Sequence, residues 1–154
     1  MEKDLTFDKQ EAHKHFSTYC FNAAWDLLEK EGRTDAEDEE MLALVYTSLW
    51  HWMQREDCNH QNLSVGYWQL SHVHAVLDKA ENADKYAHLC LSGSEQKGVA
   101  AVYLGYAYEA LARAASIAGD EEMKKEYCKK AEEIAEGIHE KEEREQLLND
   151  LATI

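Results

Sequence analysis

Apolar residues recur three and four positions apart along almost the whole chain, and no stretch alternates with the period of two that a half-buried strand requires. The pattern predicts helices joined by short turns. A first helix spans about Asp8 to Lys30, with Phe16, Cys20, Ala23, Ala24, Leu27 and Leu28 on its apolar side and Gly32 ending it. Thr34 opens a second helix with Glu37 three residues on. This is the capping-box arrangement, in which each side chain reaches a backbone N–H that the first turn leaves unbonded. The acidic run TDAEDEE lies on that turn, where the helix dipole favours negative charge, and the helix continues to about Arg55. A third helix covers about Gln61 to Lys79, and a fourth covers Ala83 to Leu91 behind an Asn82 cap. A fifth runs from Val99 to Ala118, a sixth from the turn AGD (118–120) to Glu136, and a short seventh lies within KEEREQLLNDLATI. The stretch SGSEQKG (92–98) is the main predicted loop. It lacks the G-x-x-x-x-G-K-[ST] spacing and a preceding strand, so it is not a phosphate loop.

The pattern repeats. Laying residues 64–91 over 105–132, an offset of 41, matches Tyr67 with Tyr108, Leu70 with Leu111, Ser71 with Ala112 and His74 with Ala115. In the following helix it matches Ala83 with Lys124, Ala87 with Cys128 and Cys90 with Ala131. One more offset back, Leu42, Tyr46 and Leu49 take the second-helix slots. A shift of one residue brings Trp25 and Leu28 into the slots of Tyr67 and Leu70. Bulky positions three and seven apart, with small residues where helices touch, are what stacked antiparallel helix pairs need.

Composition agrees with this reading. The 154 residues contain no proline, where ordinary usage predicts roughly eight, so long helices with glycine or asparagine turns are favoured. The length is enough for one domain with a core of its own. Net charge is −15, with 14 acids and 6 bases in residues 1–57, 5 and 4 in residues 58–119, and 12 and 6 in residues 120–154. Such a balance argues against nucleic acid and against an anionic membrane as partners. It also marks the neutral, aromatic middle as the core. The start, MEKDLTFDKQEAHKH, has no apolar leader segment, and no apolar run is long enough to span a bilayer, so a cytoplasmic protein is expected. Cys20, Cys58, Cys90 and Cys128 are widely spaced, without C-x-x-C, and read as small hydrophobes.

The stretch YEALARAASIAGDEEMKKEYCKKAEEIA (108–135) resembles a tetratricopeptide repeat (TPR). It has a large aromatic, Leu, a small residue, Gly-Asp at the turn, then Tyr127 and Ala131. It departs from that pattern in lacking a proline after the second helix, in Lys124 at a small-residue slot, and in its longer linkers. FNAAWDLLEK, GYWQLS and YEALARA also resemble a family of uncharacterised bacterial TPR-like proteins. The resemblance implies an all-α, right-handed array of about three antiparallel helix pairs with a C-terminal capping helix, and implies no activity.

It also implies a concave groove lined by exposed positions of each first helix: Trp68, Gln69 and His72, then Tyr106, Glu109, Arg113 and Ser116. Asp26 and Lys30 would flank it beside Trp25. Glu109 and Arg113 are the only charges of the fifth helix and share a face at i,i+4. They are either an ion pair that fixes helix packing or, beside Trp68 and His72, a recognition site for a polar peptide or small molecule. A carboxylate clamp of the chaperone-tail kind is not expected from one arginine already facing a glutamate.

The densest run of reactive side chains, WHWMQREDCNH (50–60), does not form a ligand set on its own. Trp50, His51 and Trp52 point about 100° apart around a helix, and His51 has Arg55, not a ligand, at i+4. The aligned pairs Glu11–His15, His74–Asp78 and His139–Glu143 supply two ligands each. A metal site assembled across helices from His51, His60, His72 or His88 is the alternative to buried, hydrogen-bonded histidines. No nucleophile motif is present, and the paired carboxylates lie on solvated faces. The tail leucines Leu147, Leu148 and Leu151 cap the last repeat or, alternatively, meet a second copy in a homodimer.

The expectation is a single TPR-like interaction module that binds a protein or peptide in its groove, with no catalysis and no cofactor. The rival reading is a small-molecule or metal-dependent protein, an enzyme included, using His51, His72, His88 and Glu109 in an enclosed pocket.

Overall fold

The computed structural model describes residues 6–154, so residues 1–5, on which the reading of the chain's start partly rests, lie outside the described residues. The described residues form seven α-helices and no strand: α1 (Lys9–Glu29), α2 (Asp35–Gln54), α3 (His60–Val76), α4 (Ala80–Ser94), α5 (Ala101–Ala118), α6 (Glu121–Glu136) and α7 (Lys141–Leu151). The chain is all-α and hairpin-like, as its periodicity predicts. It divides into two compact units, Met1–Asn59 and His60–Ile154. No helix among the described residues is long and apolar enough to cross a membrane.

The first unit is the α1/α2 hairpin. Asp8 caps α1 by accepting from the N–H groups of Gln10 and Glu11, and the predicted capping box of Thr34 and Glu37 starts α2. The helices run antiparallel. Gln10, at the start of α1, donates to the Gln54 carbonyl at the end of α2, and the Ser48 hydroxyl donates to the Ser17 carbonyl midway. Cys20, Ala24, Met41, Val45 and Leu49 form the buried seam. The repeat register differs here from the expected one. In α2 the buried positions are Met41, Val45, Ser48 and Leu49, so of the expected slots Leu49 is buried, whereas Leu42 is half-buried and Tyr46 exposed, each displaced by the residue before it. In α1, Ser17, Cys20 and Ala24 are buried instead of Trp25 and Leu28. The connection between α1 and α2 has five residues against three between α3 and α4, and α2 carries an extra acidic turn. A slip of one residue turns a helix face by about 100°.

The second unit stacks two hairpins, α3/α4 and α5/α6, with α7 across the end. Here the 41-residue repeat is structural. Tyr67 faces Tyr86 with ring centroids 6.4 Å apart, and the equivalent Tyr108 faces Tyr127 at 6.2 Å. Leu70 and Leu111 are both fully buried. α3 and α5 end alike. Asp78 (φ 59°) and Gly119 (φ 76°) turn left-handed, and the next N–H, of Lys79 or Asp120, returns to the carbonyl of His74 or Ala115 at 2.8 and 2.9 Å. This turn stops α3 at Val76, three residues earlier than expected, and takes Asp78 out of line with His74. The carbonyl of Lys79 then accepts from the Ala83 N–H, so α4 begins at Ala80 without a side-chain cap and Asn82 lies inside the helix. α4 also continues to Ser94, past its expected end, because Gly93 packs against the start of α3 and the Ser94 hydroxyl bonds Ser64 and the Cys90 carbonyl. Leu147 and Leu151 of α7 are buried with Val102, Ala131 and Ala135, and Leu147 sits on Gly105, where a Cβ would come within 2.6 Å of it. The tail leucines therefore cap the last hairpin, except Leu148, which is exposed.

Candidate functional site

One polar cluster in the second unit joins α3, α5 and α7. Its hub is Glu109, at 0% exposure in α5, whose other charge is Arg113. One carboxylate oxygen accepts from Arg113 Nε at 2.9 Å and Nη2 at 2.6 Å, one helical turn on, and the other accepts from Trp68 Nε1 at 2.8 Å. Trp68 and Glu109 occupy the same position of successive repeats, 41 residues apart, so the stacking of α3 on α5 brings them together. Arg113 Nη2 reaches further, to the Asp150 carbonyl and the Thr153 hydroxyl (2.8 Å). The Tyr106 hydroxyl donates to Asp150 Oδ2 at 2.8 Å. The Trp68 ring lies against His72 (centroids 5.3 Å apart) and meets Tyr106 edge-on at 5.5 Å.

Electrostatics follow from this enclosure. Burial raises the Glu109 carboxyl, opposed by the Arg113 guanidinium and the Trp68 N–H. Burial and the nearby Arg113 charge lower His72 to about 4, so its ring is neutral at physiological pH. Burial and the bond to Asp150 raise the Tyr106 hydroxyl, which stays a donor. The cluster can thus offer an indole face, a neutral imidazole, a phenol and the half-buried Asp150 to a ligand. Glu109 has both oxygens engaged and no exposure. It orients Trp68 and Arg113 and cannot reach a ligand.

Five of the six residues predicted for the groove, Trp68, His72, Tyr106, Glu109 and Arg113, meet in this cluster. Gln69 does not line a groove, because it is 1% exposed and faces the interior, and Glu109 likewise lies beneath the surface. Asp150 and Thr153 were missed, since the tail reads as a solvated acidic stripe. Asp150 follows Leu147 by three residues on the face that packs inward, which was the available signal.

Among the described residues no group of three or more His, Cys, Asp or Glu side chains that could hold a metal ion is found. In the first unit His51 bonds His13 Nδ1 to Nδ1 at 2.8 Å, and Trp52 lies under the Arg55 guanidinium, 3.8 Å from its centroid. His88 is exposed on α4, bonded to the carbonyl of Asp84. His60 starts α3 at the surface. Burial raises the Cys90 thiol to about 11, as suits a structural cysteine beside Ser64 and Ser94.

Residues 21–145, from within α1 into α7, match the family described as the bacterial alpha-L-rhamnosidase 6 hairpin glycosidase domain. No curated protein and no solved structure shows a significant match. The description counts six hairpins, where the described residues build three and a seventh helix. The match corrects the expectation of a scaffold without catalysis, because the family is one of glycosidase domains and not of interaction repeats. It also leaves the TPR resemblance at the level of repeated helix pairs. By this match over most of its length, the chain belongs to the bacterial alpha-L-rhamnosidase 6 hairpin glycosidase domain family.

Proposed function

We propose that the second unit carries a glycoside site, directed to rhamnose-like sugars, on the face where Trp68, His72, Tyr106, Arg113 and Asp150 meet. The observation that carries this reading is the glycosidase-family match, whose span includes every member of the cluster except Asp150 and Thr153. The chemistry of the cluster supports it. A partly exposed indole stacks on the C–H face of a pyranose and on the methyl group of a 6-deoxy sugar, while His72 and Asp150 bond ring hydroxyls. Glycoside hydrolysis needs carboxyl groups in contrasting environments flanking the scissile bond. The cluster offers a bound sugar one carboxylate, Asp150, with Glu109 holding the aromatic wall and Arg113 in place beside it. Its own chemistry therefore supports sugar binding, and a second carboxyl group for hydrolysis is not among its members.

The test combines turnover of 4-nitrophenyl α-L-rhamnopyranoside with saturation-transfer NMR of L-rhamnose. We expect saturable binding of the rhamnoside in preference to the matching glucoside. Trp68→Ala should weaken it, and any turnover should fall at least roughly tenfold in Asp150→Asn. If the unmodified protein neither binds nor cleaves the rhamnoside, or if both variants match it, the proposal is wrong.

A further inference from the structure

The first unit leaves an aromatic face open to solvent. Phe16 and Tyr19 on α1 are 44% and 58% exposed, and Trp50 and Met53 on α2 are 53% and 46% exposed. They belong to one surface. The rings of Phe16 and Trp50 lie 5.5 and 5.0 Å from His51, Trp50 meets His13 at 5.5 Å, and Tyr19 stacks on His15, which touches Phe16. The His13–His51 bond ties the two helices at its centre. Met53 follows Trp50 by three residues on the same side, and Tyr46, four residues before Trp50, is also exposed.

At about 200 Å² for a side chain of this size, the exposed fractions of these five amount to roughly 480 Å² of apolar surface. That is as large as a monomer's largest open patch, which is often functional. It is also about three-fifths of the ~800 Å² that each partner contributes to a standard interface, and the His13, His15 and His51 rings supply more. We infer that this face is a homodimer interface, on which a second copy of the chain docks about a two-fold axis. A copy is the occupant that fits. The centre consists of rings and imidazoles in a chain of net charge −15, so a polyanion meets a repelling surround. An isologous contact pairs ring with ring and leaves the acids at the rim. The leucine seam of α7 is not available for this role, because Leu147 and Leu151 are consumed within their own unit.

Light scattering and sedimentation velocity between about 1 and 200 µM test the interface, a range that spans micromolar dissociation constants. The expected mass is twice the 17.7 kDa of the chain. Trp50→Glu and, independently, Tyr19→Glu should each weaken association roughly 30-fold or more, with helical circular dichroism unchanged because both side chains are exposed. Leu148→Lys, on the exposed side of α7, should leave the dimer intact. The inference is overturned by a monomer across the whole range, by a dimer that resists both face variants, or by one that Leu148→Lys dissolves. A monomer whose Trp50 emission shifts with lipid vesicles or soluble glycans would assign the face to that occupant instead, and would equally overturn it.

Discussion

Replacing Arg113 with methionine isolates what holds the Glu109 hub together. The variant keeps most of the packing volume but removes both guanidinium bonds to a carboxylate with 0% exposure, leaving Trp68 Nε1 as its donor. Breaking a buried pair from one side costs about 3–5 kcal/mol. The carboxyl can escape that cost by taking a proton. From an ordinary carboxyl value near 4.3, protonation at pH 7 costs about 3.7 kcal/mol, which caps the loss. We therefore expect Arg113→Met to destabilise the second unit by about 3–4 kcal/mol at pH 7.

The sign of the pH dependence follows. Without its counter-charge the folded-state carboxyl titrates well above its unfolded value, so the variant's stability is fully present below the unfolded value and is lost as pH rises. The destabilisation should shrink on going from pH 7 towards pH 5, by at most about 1.4 kcal/mol per unit, since the parent's own carboxyl is also raised by burial. Adding Glu109→Gln removes the buried charge, and the double variant should recover to within about 1–2 kcal/mol of the parent. Urea unfolding followed by circular dichroism, with the Trp68 indole N–H resonance reporting the second unit, reads all three proteins. A loss under about 1 kcal/mol, or one that does not change with pH, would refute the view that Glu109 is a buried carboxylate dependent on Arg113.

Leu147→Ala should cost about 2–5 kcal/mol and abolish hydrogen-exchange protection in α7 before α3 and α4 respond, since Leu147 is the fully buried anchor of that helix. In that background Gly105→Ala should become stabilising by about 1 kcal/mol through helix propensity. In the parent, by contrast, the new methyl would meet Leu147 Cδ2 at 2.6 Å, and the gain should be reduced or reversed. His72 and His74 are both lowered to about 4, chiefly by burial. Their contribution is fully present above the unfolded value near 6.5 and is lost as pH falls from there through about 4, on the order of 3 kcal/mol for each ring. NMR titration should find both rings neutral down to about pH 5, and ordinary titration near 6.5 in the folded protein would contradict their burial.

Much of the cluster was legible because two of its pairings are written in the chain. Glu109 and Arg113 stand at i,i+4 in an otherwise apolar helix, and Trp68 and Glu109 stand one repeat apart. Asp150 was faintly legible, because its spacing from Leu147 hints at the packed face, but only the packing of α7 turns it towards Tyr106. Gln69 and Glu109 were expected at the surface, but the rotational phase of each helix buries both.

By itself, the sequence determined the helices, most of their ends and the repeat of 41, since all of these depend on residues three or four apart and on local caps such as Thr34 and Asp120. Tertiary structure alone decided which faces meet: that Glu109 is covered, that His51 pairs with His13, and that Met41 and Val45, not Leu42 and Tyr46, face the seam of the first hairpin. The reason is geometric. A helix forms from its own backbone bonds whatever lies beside it, but its azimuth depends on turn lengths and on the partner's side-chain volumes. About 100° per residue is enough to exchange core for surface.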